Sequence, residues 1–225
     1  MHSDARATRH AGRRDDLLVA AADYVLAHGL AGLSIRPLAA ALGLSHRTLL
    51  YYFESKDKLI VAVLEVIRGR DERLLMEHLS AVRPGTASEL FRASWTHFSA
   101  PERTSYLRFF HEVLALGLDD PTYRSWVERA IENRIQPVAK ALARLGVPEP
   151  RTRAAAVLIC AAVRGLQLHL LTTGDRAATD AAFEELLASF EASIQHSQRT
   201  KEVEVDVSIP VHAVPQWLVS PRLRP

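Results

Sequence analysis

One short segment near the N-terminus of this 225-residue chain groups side chains that could bind nucleic acid. In the run from Ser45 to Phe53, Leu49 and Phe53 form an apolar i, i+4 pair that would face inward on a helix. The outward face then carries basic, hydroxyl and aromatic groups, namely His46, Arg47, Thr48 and Tyr51. Because such groups hydrogen-bond to base edges and phosphates, the pattern predicts contact with double-stranded DNA.

Two short helices joined by a tight turn would hold that face. Ser34 is placed to cap the first helix, and Gly43 ends it. Ser45 is placed to cap the second. This arrangement is a helix-turn-helix, in which the second helix enters the major groove. Together with an amphipathic helix over residues 13–28, it forms a predicted three-helix domain over residues 13–60.

The same residues carry a resemblance to a known family. The amphipathic helix, the helix-turn-helix, the Tyr52-Phe53 pair and the Ser55-Lys56 helix start follow one another as in the DNA-binding domain of the tetracycline-repressor (TetR) family. Residues 13–64 resemble that domain. One difference is Leu50, which stands where members often carry a tyrosine that contacts a phosphate. In this chain Tyr51 or Tyr52 would make the phenolic contact.

The resemblance implies a homodimer that binds a palindromic DNA operator, since two copies of the helix-turn-helix contact two half-sites. Eight residues are the expected DNA contacts: Ser34, Ser45, His46, Arg47, Thr48, Tyr51, Tyr52 and Lys56. A further contact is expected from a basic arm over residues 1–12, which contains Arg6 and Arg9 against one acidic residue, Asp4. The alternative for this arm is a solvated terminus that does not contact DNA.

Composition excludes several classes of protein. A hydrophobic content of 48% with 24% charged residues is typical of a soluble, helix-forming globular protein. The single cysteine, Cys160, lies in an apolar run, so we expect a buried thiol and neither an intramolecular disulfide nor a multi-cysteine zinc site. The sequence signatures of enzymes, metal sites and cofactor sites are missing, so none of these is expected. The lack of a signal peptide and of an apolar run of ~20 residues predicts a cytoplasmic protein without a membrane partner.

The rest of the chain predicts a second, helical domain over residues 61–198. A long helix that starts at Lys56 would join the two domains. Pro137 lies inside another predicted helix, where it should cause a kink. The last two predicted helices, over residues 151–171 and 179–198, are apolar on more than one side. We expect them to form a four-helix bundle with a second copy of the chain, the alternative being burial within one subunit.

Aromatic side chains are concentrated in the middle of this second domain. Eight of the fifteen aromatic residues lie between Phe91 and Trp126. Clustered aromatics beside isolated polar groups are typical of a small-molecule cavity, and ordinary core packing is the alternative. The predicted lining is Trp95, Phe98, Phe109, Phe110, Trp126 and Asn133, with Arg164 and Gln167 as polar anchors.

A tail follows at residues 199–225. Within it, the segment from Lys201 to Ile209 alternates charged and mostly β-branched residues, which indicates a strand, with disorder as the alternative. Nothing in the TetR resemblance accounts for this tail.

These observations lead to one functional prediction. The chain is expected to be an all-α, homodimeric transcription regulator, a repressor released from its operator by a small, largely apolar effector. An architectural DNA-binding protein without an effector is one alternative. An all-α enzyme is the other.

Overall fold

Helices form all the regular secondary structure described for this chain. The structure is a computed structural model that describes residues 2–30, 33–82, 86–144 and 147–205, and within those ranges it contains no strand. The described helices are α1 (His2–His28), α2 (Ile35–Ala41), α3 (His46–Phe53), α4 (Lys56–Ala81), α5 (Ala87–Phe98), α6 (Thr104–Leu116), α7 (Pro121–Arg144), α8 (Glu149–Thr173) and α9 (Arg176–Val205). A 3-10 turn at Pro101–Arg103 joins α5 to α6. The prediction of an all-α fold is confirmed.

Side-chain caps fix where several helices begin. The Ser45 hydroxyl accepts a hydrogen bond from the Thr48 amide at 3.0 Å, and the Ser55 hydroxyl accepts one from the Lys58 amide at 3.1 Å. A reciprocal capping box starts α5 at Thr86. Because the first N–H groups of a helix lack an internal partner, these side-chain oxygens supply one. The helix starts predicted at Ser45 and Ser55 are therefore confirmed.

The chain divides into two compact units, residues 1–183 and residues 184–225. The described part of the second unit is the remainder of α9. In the first unit, one cluster of buried apolar side chains extends from α1 to α7 and includes Leu49, Phe109 and Trp126. This cluster includes side chains on both sides of residue 60, so the two predicted domains share buried contacts, and the boundary between them stays a prediction. The contacts are shared because α4 crosses this boundary without interruption and buries side chains along most of its length.

Both ends of the described chain are more helical than predicted. α1 begins at His2, so residues 2–12, predicted as a basic arm, form the first turns of that helix instead. α9 continues to Val205, so the prediction of a strand is wrong for residues 201–205. Extending a helix adds a hydrogen bond per residue without a new nucleation cost, whereas a lone strand needs a partner. The rest of the tail, residues 206–225, lies outside the described residues.

α8 leaves much of its apolar surface uncovered. It packs along α7, but only 17% of its most apolar 18-residue window is buried. The mean hydropathy of that window is 1.8, so α8 is the one helix of the described ranges that is long and apolar enough to cross a membrane. A helix at a protein–protein interface meets the same criteria of length and composition. The uncovered side chains include Val157, Leu158 and Leu168.

Candidate functional site

α3 turns its apolar side chains inward and leaves the predicted DNA-contacting residues accessible. Leu49 and Phe53 are buried, as the i, i+4 pattern predicted. Of the predicted contacts, Ser34, Ser45, His46, Arg47, Tyr51 and Lys56 are exposed, while Thr48 and Tyr52 are half-buried. Tyr51 is 72% exposed, the highest value among the large hydrophobic side chains described. An aromatic ring left in water at this level offers contact area to a partner.

The hydroxyls of Ser45 and Thr48 also have a role within the protein. The Ser45 hydroxyl caps α3 and lies 2.7 Å from the hydroxyl of Thr48. Ser34 occupies the N-cap position of α2, but its side chain makes no capping hydrogen bond. The hydroxyl of Ser34 is therefore available to a ligand, whereas those of Ser45 and Thr48 already stabilise the start of α3.

The junction between α3 and α4 is a tight turn centred on Glu54. Its φ of +66° is a backbone conformation that residues other than glycine rarely adopt. The Ser55 amide donates to the Phe53 carbonyl at 2.7 Å, which closes a three-residue turn. The Lys58 ammonium lies 2.5 Å from the Glu54 carboxylate and lowers its pKa. This turn sets the direction of α4 relative to α3.

Hydrogen bonds join the segments before and after the helix-turn-helix to helices later in the chain. The Leu30 amide, between α1 and α2, donates to a Glu112 carboxylate oxygen on α6 at 2.8 Å. The Leu64 carbonyl on α4 accepts a hydrogen bond from Nε1 of Trp126 on α7 at 2.9 Å. A movement of α6 or α7 must therefore break these bonds or displace the segments that position α2 and α3.

A cavity of about 100 Å³ lies among α4, α5, α6, α7, α8 and the start of α9. Apolar side chains form most of its wall, including Leu75, Phe91, Leu107, Val138, Ile159 and Phe183. Pro137 is also part of the wall. α7 continues as one helix through this proline, and the kink expected there stays a prediction.

Four of the eight predicted effector contacts reach the cavity: Trp95, Phe98, Arg164 and Gln167. Two of them are held by hydrogen bonds. Trp95 donates from Nε1 to an Asp180 carboxylate oxygen at 2.7 Å, and Gln167 donates from Nε2 to the Phe98 carbonyl at 3.1 Å. The side-chain donors of Trp95 and Gln167 are therefore already used within the protein. Arg164 is the charged residue among the four, and its guanidinium group can pair with a ligand.

The structure places the other four predicted effector contacts away from the cavity wall. Phe109, Phe110 and Trp126 are each 1% exposed and belong to the core shared with the helix-turn-helix. Trp126 packs edge-on against Phe109, with ring centroids 5.7 Å apart. Asn133 donates to the carboxylate of Glu72 on α4. Aromatic clustering in the sequence could not separate the two groups, because neighbouring residues of one helix face different partners.

Two charged residues of the cavity wall were not predicted, Arg103 in the 3-10 turn and Arg134 on α7. Both donate to the partly buried carboxylate of Asp71 on α4, Arg134 at 2.9 Å. Arg103 also lies over the Tyr106 ring, with its Cζ atom 4.3 Å from the ring centroid. No local signal marks these arginines, because arginine in an amphipathic helix is usually found with its charge in water.

Two histidines and the single cysteine also lie in or near the cavity wall. The rings of His78 and His97 stack with centroids 4.7 Å apart, and His78 Nε2 lies 3.1 Å from the Ser94 hydroxyl in the wall. Burial, with His97 and Arg134 nearby, lowers the pKa of His78. Burial also raises the pKa of the Cys160 thiol, which is part of the wall. Across the described residues, no three histidine, cysteine or carboxylate side chains are grouped to hold a metal ion.

A second depression of about 480 Å³ lies between α6 and the C-terminal part of α8. Exposed residues form much of its wall, among them Arg108 and Leu168. The Nε2 atom of His111 is buried beside it without a hydrogen-bond partner in the described structure. We favour the smaller cavity as the ligand site, because its lining residues are all buried or half-buried and three arginines reach its wall.

Two family models match the two parts of this site, the helix-turn-helix and the cavity. Residues 17–63, which contain the helix-turn-helix, match the family model for bacterial regulatory proteins of the tetR family. Residues 83–190, which contain most of the cavity wall, match the model for the tetracyclin repressor-like C-terminal domain. A comparison with curated proteins gave no match.

Solved structures of transcriptional regulators have the same fold. A TetR-family regulator from Cytophaga hutchinsonii aligns with a TM-score of 0.70 and 20% identity, over 83% of this chain and 96% of that one. The multidrug binding protein EbrR complexed with proflavin aligns with a TM-score of 0.60 and 25% identity, over 78% of this chain and 98% of that one. EbrR complexed with imidazole aligns with a TM-score of 0.59 and 27% identity, over 80% of this chain and 91% of that one. With both of its parts matched, this chain belongs to the TetR family of transcriptional regulators.

Proposed function

We propose that this chain is a homodimeric repressor that leaves its DNA operator when a small molecule binds in the cavity. The observation that carries the proposal is an exposed α3 face and a cavity in one compact unit, joined by hydrogen bonds through α6 and α7. A ligand that prefers one conformation of the cavity would shift the population toward it and move α3 away from the operator geometry. The name of EbrR, a multidrug binding protein, supports a ligand in this domain. Such a regulator would act in the cytoplasm.

Operator selection followed by ligand titration tests this function. DNA selected by the protein from random sequences should contain a palindrome with half-sites about 34 Å apart, or a small multiple of that distance. Proflavin and imidazole, the compounds in the EbrR complexes, are the first to titrate against the protein–DNA complex. A metabolite library screened by thermal shift follows. An operator that no compound releases would favour an architectural protein, and selection of no palindrome would contradict a sequence-specific dimer.

The exposed face of α3 gives the first prediction. Arg47→Ala should weaken operator binding by ~1 to 3 kcal/mol and relax the base preference at one position, if Arg47 contacts a base edge. Lys56→Ala should instead weaken binding to all sequences about equally, as expected for a phosphate contact. Gel-shift titrations at fixed salt with operator and scrambled DNA measure both effects.

A matched variant controls for the loss of one positive charge. Arg144 is exposed on α7, so Arg144→Ala should leave operator affinity unchanged. If Arg47→Ala and Lys56→Ala also leave affinity unchanged in the same assay, the assignment of α3 and the start of α4 to DNA is wrong.

The uncovered face of α8 supports the proposed dimer. Small and apolar side chains are exposed there at alternating spacings of four and three residues: Ala154, Leu158, Ala161, Gly165, Leu168 and Thr172. This spacing forms one stripe along a helix and allows a second helix to approach closely. We propose that α8 packs against its counterpart in a second copy, with α9 completing a four-helix bundle.

The second prediction tests this stripe. Leu158 is 62% exposed in the single chain, so a charge there should not disturb the fold. Leu158→Glu should weaken the dimer by roughly 3 kcal/mol, about a hundredfold in Kd, because the charge would be buried without a partner. Sedimentation equilibrium measures the effect. Leu187 on α9 is less suitable, because at 4% exposure a charge there would damage the fold itself.

Met76→Glu is the matched control for this experiment, since Met76 is 61% exposed on α4. It should leave the dimer intact. A wild-type protein that sediments as a monomer at micromolar concentration, or a Leu158→Glu variant that stays dimeric, would contradict the proposed interface.

A further inference from the structure

The cavity wall carries positive charge that is only partly balanced. Arg103, Arg134 and Arg164 all reach it, and the side chains described around it include no aspartate or glutamate. Asp71 lies behind the wall and pairs with both Arg103 and Arg134. Because arginine remains protonated at physiological pH, the wall has three positive charges, of which two are paired with this carboxylate.

Arg164 is the cation that lacks a carboxylate partner. It lies over the Phe110 ring, with its Cζ atom 3.6 Å from the ring centroid. It makes no ion pair with any side chain of the described ranges. Burial lowers its pKa, as expected for a cation enclosed by protein. A cation–π contact offsets only part of the cost of desolvating this charge, so the group can gain free energy from an anion.

The nearby carboxylates are already paired with other groups. Asp180 accepts a hydrogen bond from Trp95 and lies 3.5 Å from Arg176. Glu72 accepts hydrogen bonds from Arg68 and Asn133. A side-chain rearrangement that neutralised Arg164 would therefore leave another donor unpaired. Among the described residues these carboxylates offer Arg164 no partner, so we consider a bound ligand as the source of the compensating anion.

We infer that the cavity binds a small organic carboxylate, with its carboxylate on Arg164 and its apolar body against the surrounding wall. This inference rests on the proposed function and names the chemical class of the effector, in place of the largely apolar molecule that the sequence predicted. A guanidinium group matches a carboxylate with two parallel N–H···O hydrogen bonds. The cavity volume of about 100 Å³ limits the apolar body to one ring or a short chain, because an engineered cavity of about 150 Å³ binds benzene.

Matched ligands that differ in charge test the inference. Benzoate and hexanoate are titrated into the full-length protein by isothermal calorimetry, beside benzyl alcohol, hexanol and benzylamine. The two acids should bind, and the alcohols and the amine should bind at least roughly tenfold more weakly, because they lack the charge that Arg164 would pair with. Alcohols or benzylamine that bind as tightly as the acids would overturn the inference.

Two arginine variants then locate the binding site. Arg164→Gln should weaken benzoate binding by roughly 10- to 100-fold and leave the binding of the alcohols unchanged. The Tm of the free variant should stay the same or rise, since a partly buried cation without an ion-pair partner has been removed. Arg108→Gln removes an exposed arginine beside the second depression. It should bind benzoate like the wild type, and a loss in this variant alone would overturn the assignment to the cavity.

Operator release separates this inference from the proposed function. Acids that bind through Arg164 and release the operator support both. Acids that bind through Arg164 and leave the operator bound support the inference and contradict the proposed function. Release of the operator by neutral or cationic compounds, with no binding of the acids, overturns the inference and supports the proposed function.

Discussion

Trp126→Ala is expected to destabilise the whole protein rather than to impair a ligand response. The indole is 1% exposed, packs against Phe109 and Phe110, and donates to the Leu64 carbonyl at 2.9 Å. Removing a buried aromatic side chain costs about 3 to 5 kcal/mol, because the cavity left behind does not close fully. In a chain of this size the Tm should fall by roughly 6 to 20 °C. Circular dichroism at matched protein concentrations measures it, since the Tm of a dimer depends on concentration.

Trp126→Phe separates packing from hydrogen bonding at this site. It keeps most of the ring volume and loses the bond to the Leu64 carbonyl, so it should cost only about 1 to 2 kcal/mol. A Trp126→Ala variant that keeps the Tm of the wild type and loses its ligand response would instead place Trp126 at the ligand, as the sequence predicted. The two outcomes are distinguished in the same preparation by thermal unfolding and operator release.

The helix-turn-helix could be predicted from sequence because its determinants are local. Ser45 caps the helix that begins at the next residue, and Leu49 and Phe53 are buried one turn apart. Each of these relations spans four residues or fewer, so spacing alone specifies it. The turn at Glu54 could not be predicted in the same way. Its positive φ occurs at a residue type that gives no signal for that conformation.

The cavity was only half predicted because its wall is assembled from distant segments. Aromatic density identified the right region of the chain, yet Trp95 and Phe98 line the cavity while Phe109 and Phe110 fill the core. Whether an aromatic residue lines the cavity or fills the core depends on which neighbouring helix it faces. A single helix can have more than one buried side, so sequence spacing does not decide this. Arg103 was missed for the same reason, since its partner lies 32 positions away in sequence.

The domain boundary near residue 60 stays a prediction, because one buried cluster includes side chains on both sides of it. In the sequence, a long helix that begins directly after a DNA-binding motif has the pattern of a linker between two domains. In the structure, α4 buries Leu59, Val63, Leu64 and Ile67 in the core that α6 and α7 also share. In the proposed function, this shared core would let a ligand near α6 and α7 act on α3 without a hinge between domains. Coupling then depends on packing and on the hydrogen bonds to Leu30 and Leu64.

Asp71 supplies the negative charge that holds two of the cavity arginines. Its side chain is 13% exposed, and those of Arg103 and Arg134 are 14% and 17% exposed. Removing one member of a buried ion-paired group is costly because the remaining charges stay desolvated without compensation. Asp71→Asn keeps the size of the side chain and removes only its charge. It should therefore lower the free energy of unfolding by about 3 to 5 kcal/mol, measured by urea denaturation.

Glu65 is the matched control, because it is also one carboxylate shared by two arginines. It lies 2.6 Å from Arg68 and 2.7 Å from Arg129, but its side chain is 35% exposed and that of Arg129 is 50% exposed. Water and salt screen such a group, so Glu65→Gln should cost no more than about 1 kcal/mol. If Asp71→Asn costs as little as Glu65→Gln, water compensates Arg103 and Arg134 without Asp71. The unpaired Arg164 would then give no reason to expect an anionic ligand, so this comparison also tests the electrostatic basis of the carboxylate site.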